Sequence, residues 1–157
     1  MKPVKLKELA DEMQSQMNEW TTFLNKKTGE FVPVSDDELR IAEDGEDVGN
    51  AFSLVEIDED RVKMAEDILD NSDDYIELPS RFDIDEYDIM ERFCESIKNG
   101  RDRDALLIAI KGSGAFRRFK EIVRRFGLED DWYRFKDEAY QELAIEWCNE
   151  NGILFEE

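Results

Sequence analysis

The sequence predicts an α+β fold in a single domain, residues 1–157, with a small antiparallel or mixed sheet in residues 1–80 and helices through residues 81–152. Three observations support this prediction. Strand-like runs joined by a glycine turn mark the first half, helical apolar stripes that end at glycines mark the second, and no Gly/Ser or low-complexity linker separates them. Leu, Ile, Val and Phe occupy 41 of the 157 positions, which is enough for one core without a metal or a disulfide.

The N-terminal half begins with a predicted helix and a predicted hairpin. The apolar spacing in Val4–Met13 favours a short helix. Trp20–Leu24 and Glu30–Val34 then flank Asn25–Gly29, a connection whose glycine can adopt a positive φ, so we predict a hairpin. Because Pro33 has no N–H to donate, the second strand should lie at the edge of the sheet.

A capping signal starts the next helix. Ser35 and Glu38 have the spacing at which each side chain bonds the other's backbone N–H, so a helix should begin there and end near Gly45. The remaining predicted elements of this half are a strand at Phe52–Ile57, a helix capped by Asp58 and a strand at Tyr75–Leu78.

The C-terminal half is predicted to contain four helices. Asp83 and Glu86 repeat the capping spacing, and the helix that follows should end at Gly100 in the left-handed conformation. Ala105–Ile110 is apolar on all sides, which favours a buried helix. The last two helices run from Gly114 to Phe126, ended by Gly127, and from Glu129 to Asn149, ended near Gly152.

The charge pattern narrows the function. The chain has a net charge of −20 and no histidine, which excludes Ser-His-Asp and Cys-His catalysis and removes the commonest transition-metal ligand. Residues 36–95 carry a net −18, residues 96–128 a net +6 and residues 129–157 a net −8. This surface disfavours nucleic acid as a partner without excluding it, because phosphate neutralisation could come only from the basic segment.

Cysteines and acidic clusters give no metal site. Cys94 and Cys148 lie in helical patterns without a CxxC partner, so we expect two reduced core thiols. The acidic runs Glu43–Asp47 and Asp70–Asp74 lack the order of a calcium loop. We therefore expect no metal and no cofactor.

The start of the chain lacks a signal peptide and no run could span a bilayer, so we expect a soluble cytoplasmic protein without a membrane partner.

The most informative stretch is Lys111–Lys120. Gly112 and Gly114 precede a helix, so backbone N–H groups and the positive helix end could receive an anion. The stretch matches neither a Walker A loop nor a dinucleotide fingerprint. At helical spacing, one arc holds Phe116, Phe119, Ile122, Val123 and Phe126, and we expect it to be buried. The opposite arc holds Arg117, Arg118, Lys120, Arg124 and Arg125.

The same residues carry a resemblance to a family. The run Gly112-x-Gly-Ala-Phe-Arg-Arg-Phe-Lys120, with Trp132-x-x-Phe135 and Ala144-x-Glu-Trp147 after it, resembles the signature of an uncharacterised family of small acidic bacterial proteins. Phe23-Leu24 and Thr28-Gly29-Glu30, in the hairpin, are similar to that family's N-terminal part. The resemblance spans residues 20–153, and it implies no activity or site because the family has no assigned function.

Three interpretations of the basic arc stay open. Its bases could pair with the chain's own surplus carboxylates, as charged helical faces commonly do. The arc could bind a phosphate-bearing ligand, RNA or an acidic protein. It could also serve an enzyme that acts on a phosphorylated or nucleic-acid substrate through carboxylate acid/base groups. The charge asymmetry further allows a salt-sensitive homo-oligomer, in which the +6 segment of one chain meets the −18 segment of another.

We predict a non-enzymatic cytoplasmic interaction or regulatory domain, and we assign no catalytic residues. The candidate anion- or partner-binding residues are Gly112, Gly114, Arg117, Arg118, Lys120, Arg124 and Arg125.

Overall fold

The computed structural model describes residues 2–44, 59–80 and 83–157 and has the predicted α+β architecture, with a helical C-terminal half. Contacts divide the chain into two compact units. One comprises Met1–Asp83 together with Ala144–Glu157, and the other comprises Ile84–Leu143. The C-terminal segment therefore joins the sheet-bearing unit, although its sequence is helical.

The first unit carries both sheets. Strands β3-β2-β4 form an antiparallel sheet, and β1 and β5 form a parallel pair. Its elements are β1 (Val4–Lys5), α1 (Leu6–Gln14), β2 (Trp20–Asn25), β3 (Phe31–Ser35), α2 (Asp36–Asp44), α3 (Glu59–Asp70), a 3-10 turn (Ser72–Asp74), β4 (Tyr75–Glu77) and β5 (Phe155–Glu156).

The hairpin and its edge are confirmed. β2 pairs antiparallel with β3, and Thr22 lies opposite Pro33. Gly29 in the connection has a φ of 76°. β3 is an edge strand, as expected for a strand that contains proline. Val32 and Val34 of this strand pack with α3 residues in a small core.

The capping signal at α2 is also confirmed. The N–H of Glu38 donates to Oγ of Ser35 at 3.1 Å, and the N–H of Ser35 donates to Oε1 of Glu38 at 2.9 Å. Glu38 is buried and also accepts a bond from Nε of Arg61 at 2.9 Å. The predicted strand at Phe52–Ile57 and the cap at Asp58 lie outside the described residues.

The predicted first helix is present, but its predicted start at Val4 is wrong. Val4 and Lys5 form strand β1, and the first helix begins only at Leu6. Val4 pairs with Phe155, and the N–H of Val4 donates to the carbonyl of Leu154 at 3.0 Å. A partner this distant in sequence leaves no mark on the local apolar spacing.

The second unit contains most of the helical half. Its core includes Phe93, Leu106, Phe119 and Val123. The helices are α4 (Glu86–Ser96), α5 (Gly100–Ala109), α6 (Ala115–Arg125) and α7 (Glu129–Asn151), of which the last continues into the residues of the first unit.

Two predicted helix boundaries are wrong. Asp85, rather than Asp83, caps α4 by accepting a bond from the N–H of Asp88. Asp83 instead bonds the N–H and Oγ of Ser80. Gly100 does not terminate α4 but begins α5, because the side chain of Asn99 accepts bonds from two N–H groups of the new helix.

The expectation of a fully buried α5 is also wrong. The helix forms, and Leu106 and Ala109 are buried, but Ile108 is 67% exposed. A helix at the surface of a small unit has one outward side whatever its composition, so an apolar residue there faces water.

Candidate functional site

A glycine turn joins α5 to α6. Gly112 and Gly114 have φ values of 78° and 77°, both in the left-handed region. Gly114 is the N-cap residue of α6, and its carbonyl accepts the N–H of Arg118 at 3.1 Å. Glycine meets this geometry without the steric strain that a Cβ atom brings. The two glycines of the motif therefore shape the turn.

The guanidinium of Arg118 holds this turn closed. Its Nε donates to the carbonyl of Ala109 at 2.9 Å, Nη1 to that of Ser113 at 2.6 Å, and Nη2 to that of Lys111 at 2.6 Å. These carbonyls lie at the end of α5 and in the turn, where no helix hydrogen bond is available to them. A planar fork with several donors suits this task, whereas a lysine would offer a single nitrogen.

The remaining bases of α6 point to solvent. Arg117 lies 3.8 Å from Glu121, and Arg124 lies 3.7 Å from Glu129. These are long contacts between exposed groups, which stabilise little. The other two bases, Lys120 and Arg125, are exposed and have no carboxylate within ion-pair distance in residues 2–44, 59–80 and 83–157. We call Arg117, Lys120, Arg124 and Arg125 the basic face.

The opposite side of α6 packs against aromatic rings. Phe119 meets Trp132 edge to face, with ring centroids 4.8 Å apart, and Phe93 lies 5.3 Å from Trp132. Trp132 is thus packed between rings, which leaves it poorly placed to stack on a nucleic-acid base. The helix that carries the basic face is therefore packed against an aromatic core.

The buried arc is narrower than expected. Ala115, Phe119 and Val123 are buried, but Phe116 is 45% exposed, and its predicted burial is wrong. Phe116 follows the buried Ala115 in the sequence and lies at the edge of the buried stripe. Lys120 comes one helical turn after Phe116. An apolar ring is thus left at the border of the basic face.

A small cavity opens beside Phe116. Its volume is about 70 Å³. At one side, the hydroxyl of Tyr140 donates to Oε1 of Glu86 at 2.5 Å. The residues that line it are Glu86, Ile89, Phe116, Phe119, Lys120, Trp132, Lys136 and Tyr140. The cavity thus combines aromatic walls with two lysines and one carboxylate that is already hydrogen-bonded.

A wider cleft in the same unit has no dominant charge. It measures about 400 Å³ and is bordered by α4, α5 and α7. Lys98 and Arg134 line it together with Asp102, Asp131 and Glu138, above the rings of Phe93 and Phe135. The mixed charges indicate no particular ligand.

The perturbed titratable groups do not converge on a site. Burial raises the pKa of Cys94 and of Cys148 to about 11, which is typical of inert core thiols. A hydrogen bond to Asp67 raises the pKa of Tyr75 to about 12. Bonds from Ser80 lower the pKa of Asp83. These groups lie on different elements, so the groups with perturbed pKa values do not mark a common site.

The acidic run Asp70–Asp74 is involved in local structure. Asp74 lies 3.2 Å from Nζ of Lys27. Within residues 2–44, 59–80 and 83–157, no group of three or more Cys, Asp or Glu side chains is arranged to hold a metal ion. The other acidic run, Glu43–Asp47, lies outside these residues from Gly45 onward. Among these same residues, no helix is long and apolar enough to cross a bilayer.

The seven predicted site residues thus have different positions. Gly112 and Gly114 form the turn, Arg118 closes it, and Arg117, Lys120, Arg124 and Arg125 form the basic face. Sequence spacing grouped all five bases because it cannot tell an arginine that donates to nearby carbonyls from one that faces water. It also missed Lys136, which joins Lys120 at the cavity from another helix.

Comparison with known protein families identifies a family for this chain. A family model described as an uncharacterised protein family, UPF0158, matches residues 50–157, which is more than two thirds of the chain. The match contains the motif at 112–120 but begins after the hairpin, so the hairpin part of the resemblance stays a prediction. No curated protein and no solved structure matches the chain.

Proposed function

The chain belongs to the uncharacterised protein family UPF0158, and on that premise we propose that it is a non-enzymatic cytoplasmic interaction protein whose basic face binds an acidic protein partner. One observation supports this most directly. In a chain of charge −20, four exposed cations lie at helical spacing on α6, and the two ion pairs that they form are long and solvent-exposed. An acidic partner would meet a preformed positive surface.

The attachment of α6 supports binding. The aromatic core fixes one side of the helix, and Arg118 fixes its N-terminal end through three carbonyl bonds. A rigid surface loses less conformational entropy on association than a flexible segment does. The helix that carries the cations is therefore already positioned before a partner arrives.

The structure gives less support to an anion held by the turn itself. Arg118 already places a guanidinium against the turn, and a Cβ atom at Gly114 would lie 3.0 Å from its Nη1. Three carbonyls of this region point at Arg118, so the turn presents oxygen as well as N–H groups. We therefore place the interaction along the outward face of α6.

Affinity capture with charge variants tests the proposal. The variant Arg117→Gln/Arg125→Gln removes two charges from the basic face and keeps good helix formers. Lys7→Gln/Lys63→Gln is the matched control, because it removes two exposed charges from α1 and α3. The wild type and the control should retain the same proteins from a native cell lysate, and the basic-face variant should lose at least one.

The captured partner must also behave as an electrostatic one. Its measured affinity should fall as salt rises from about 50 to about 300 mM, because exposed charges are screened over that range. A variant that folds normally and retains every partner of the wild type would contradict the proposal. A partner whose binding does not depend on salt would contradict it as well.

A further inference from the structure

We propose that the cavity beside Phe116 receives an apolar side chain of the acidic partner, so that the partner is recognised through an acidic segment with one apolar anchor residue. This inference rests on the proposed function and adds a source of specificity to it. The basic face attracts acidic chains in general, whereas a cavity accepts only a side chain that fits.

The size of the cavity favours a side chain over a free cofactor. Cofactor and drug-sized ligands occupy pockets of roughly 300–1,000 Å³, whereas this cavity measures about 70 Å³. That volume accepts the end of one aliphatic or aromatic side chain. The walls match such a guest, because Ile89, Phe116, Phe119 and Trp132 supply apolar surface.

The charges around the cavity indicate an acidic segment. Lys120 and Lys136 line it from two helices, and neither has a carboxylate within ion-pair distance in the described part of the chain. The one carboxylate of the lining belongs to Glu86 and accepts the hydroxyl of Tyr140. Carboxylates that flank the anchor residue would therefore meet the two lysines.

The cavity beside Phe116 adjoins the basic face of α6. Phe116 and Lys120 lie one helical turn apart, and Arg124 follows after one more turn. A segment that lays its anchor against Phe116 would place its neighbouring residues along Lys120 and Arg124. The exposed ring of Phe116 would then be covered by the partner.

Synthetic peptides provide a direct test. The probes are fluorescent peptides of about ten residues, rich in Glu and with a central Leu, Phe or Ala, whose binding to the full chain is measured by fluorescence anisotropy. We expect the Leu or Phe peptide to bind about tenfold tighter than the Ala peptide, because the larger side chain buries additional carbon atoms.

Variants locate the effect. Phe116→Ala should reduce the preference for the apolar centre to less than about threefold while the Ala peptide binds as before. Ile108→Ala is the control, because Ile108 is also exposed but does not line the cavity. A preference that survives in Phe116→Ala, or that Ile108→Ala abolishes equally, would overturn the inference.

The experiment separates the two proposals. If all acidic peptides bind equally and Arg117→Gln/Arg125→Gln weakens them, the anchor inference fails and the basic face stands. If no acidic peptide binds, both fail. Inorganic phosphate alone is the remaining probe, and its binding is followed by the NMR resonances of Lys120 and Lys136. If phosphate shifts these resonances while no peptide does, the cavity holds a small anion and the inference is overturned.

Discussion

A Cβ atom built on Gly114 would lie 3.0 Å from Nη1 of Arg118, so this glycine and this guanidinium occupy adjoining space at the start of α6. Both residues belong to the motif Gly112–Lys120. The absence of a side chain at Gly114 leaves room for the guanidinium of Arg118, which bonds three carbonyls there. It also yields a prediction with an internal control.

Gly114→Ala should destabilise the protein more than Gly112→Ala. Both substitutions place a Cβ atom at a positive φ, which costs about 1 kcal/mol. Only Gly114 adds a tight contact with Arg118, whose guanidinium is held by three hydrogen bonds, because nothing lies within 4 Å of a Cβ atom at Gly112. Chemical unfolding of both variants measures the difference. In an Arg118→Ala background the difference should vanish, and its persistence there would contradict the contact.

Arg118→Lys should lower the free energy of unfolding by about 2 kcal/mol, because one ammonium cannot satisfy three carbonyls. Arg117→Lys, at the neighbouring exposed position, should change it by less than about 0.5 kcal/mol. Equal effects of the two substitutions in a denaturant titration would show that Arg118 does not hold the turn.

Tyr75 should ionise far above the ordinary range of a phenol. The bond from its hydroxyl to Asp67 at 2.6 Å favours the protonated form and raises the pKa of Tyr75 from its ordinary value of 10.0 to about 12. The folded pKa is the higher one, so the contribution to stability is complete below pH 10 and is lost as the pH rises through about 12.

Absorbance at alkaline pH measures this ionisation. Tyr75→Phe identifies the step that belongs to Tyr75, and Asp67→Asn should move that step to lower pH because the charged acceptor is removed. If Asp67→Asn left the step unchanged, the hydrogen bond could not be its cause.

The two thiols should be inert in the folded protein. Cys94 and Cys148 are buried, and burial raises the pKa of each to about 11. Thiolates are the reactive form, so at pH 8 a disulfide reagent should react at least about 100-fold more slowly with the native than with the unfolded protein. The variants Cys94→Ser and Cys148→Ser show which thiol is responsible for each reaction. Fast reaction of either thiol in the native state would disagree with the burial.

Glu19 has a φ of 66° and is the one non-glycine residue with a positive φ among those described. Glu19→Gly should therefore raise the free energy of unfolding by about 0.5–1 kcal/mol through relief of strain. Asn18→Gly is the neighbouring control and should not stabilise, because Asn18 has no such strain. Thermal unfolding of both variants decides the matter, and equal shifts would count against strain at Glu19.

Local signals predicted most of the elements. The hairpin, the cap of α2 and the helices α6 and α7 depend on residues a few positions apart, such as Ser35 with Glu38 or Asn25 with Gly29. Errors arose where several local signals competed. Asp83 and Asp85 are both capable caps, and the folded chain uses Asp85 to begin α4. Gly100 could end one helix or open the next, and the folded chain uses Asn99 as the cap of α5.

For the candidate site too, local sequence determined some features and tertiary structure determined the others. By itself the sequence determined that one helix of an acidic protein carries its basic residues opposite an apolar arc, because helical periodicity is a local property. Tertiary structure alone decided that Arg118 turns back onto Ala109, that Phe116 stays half exposed, and that Lys136 joins Lys120 at one cavity. Each of these depends on which atoms other helices or the preceding turn bring within reach, and spacing along the chain does not contain that information.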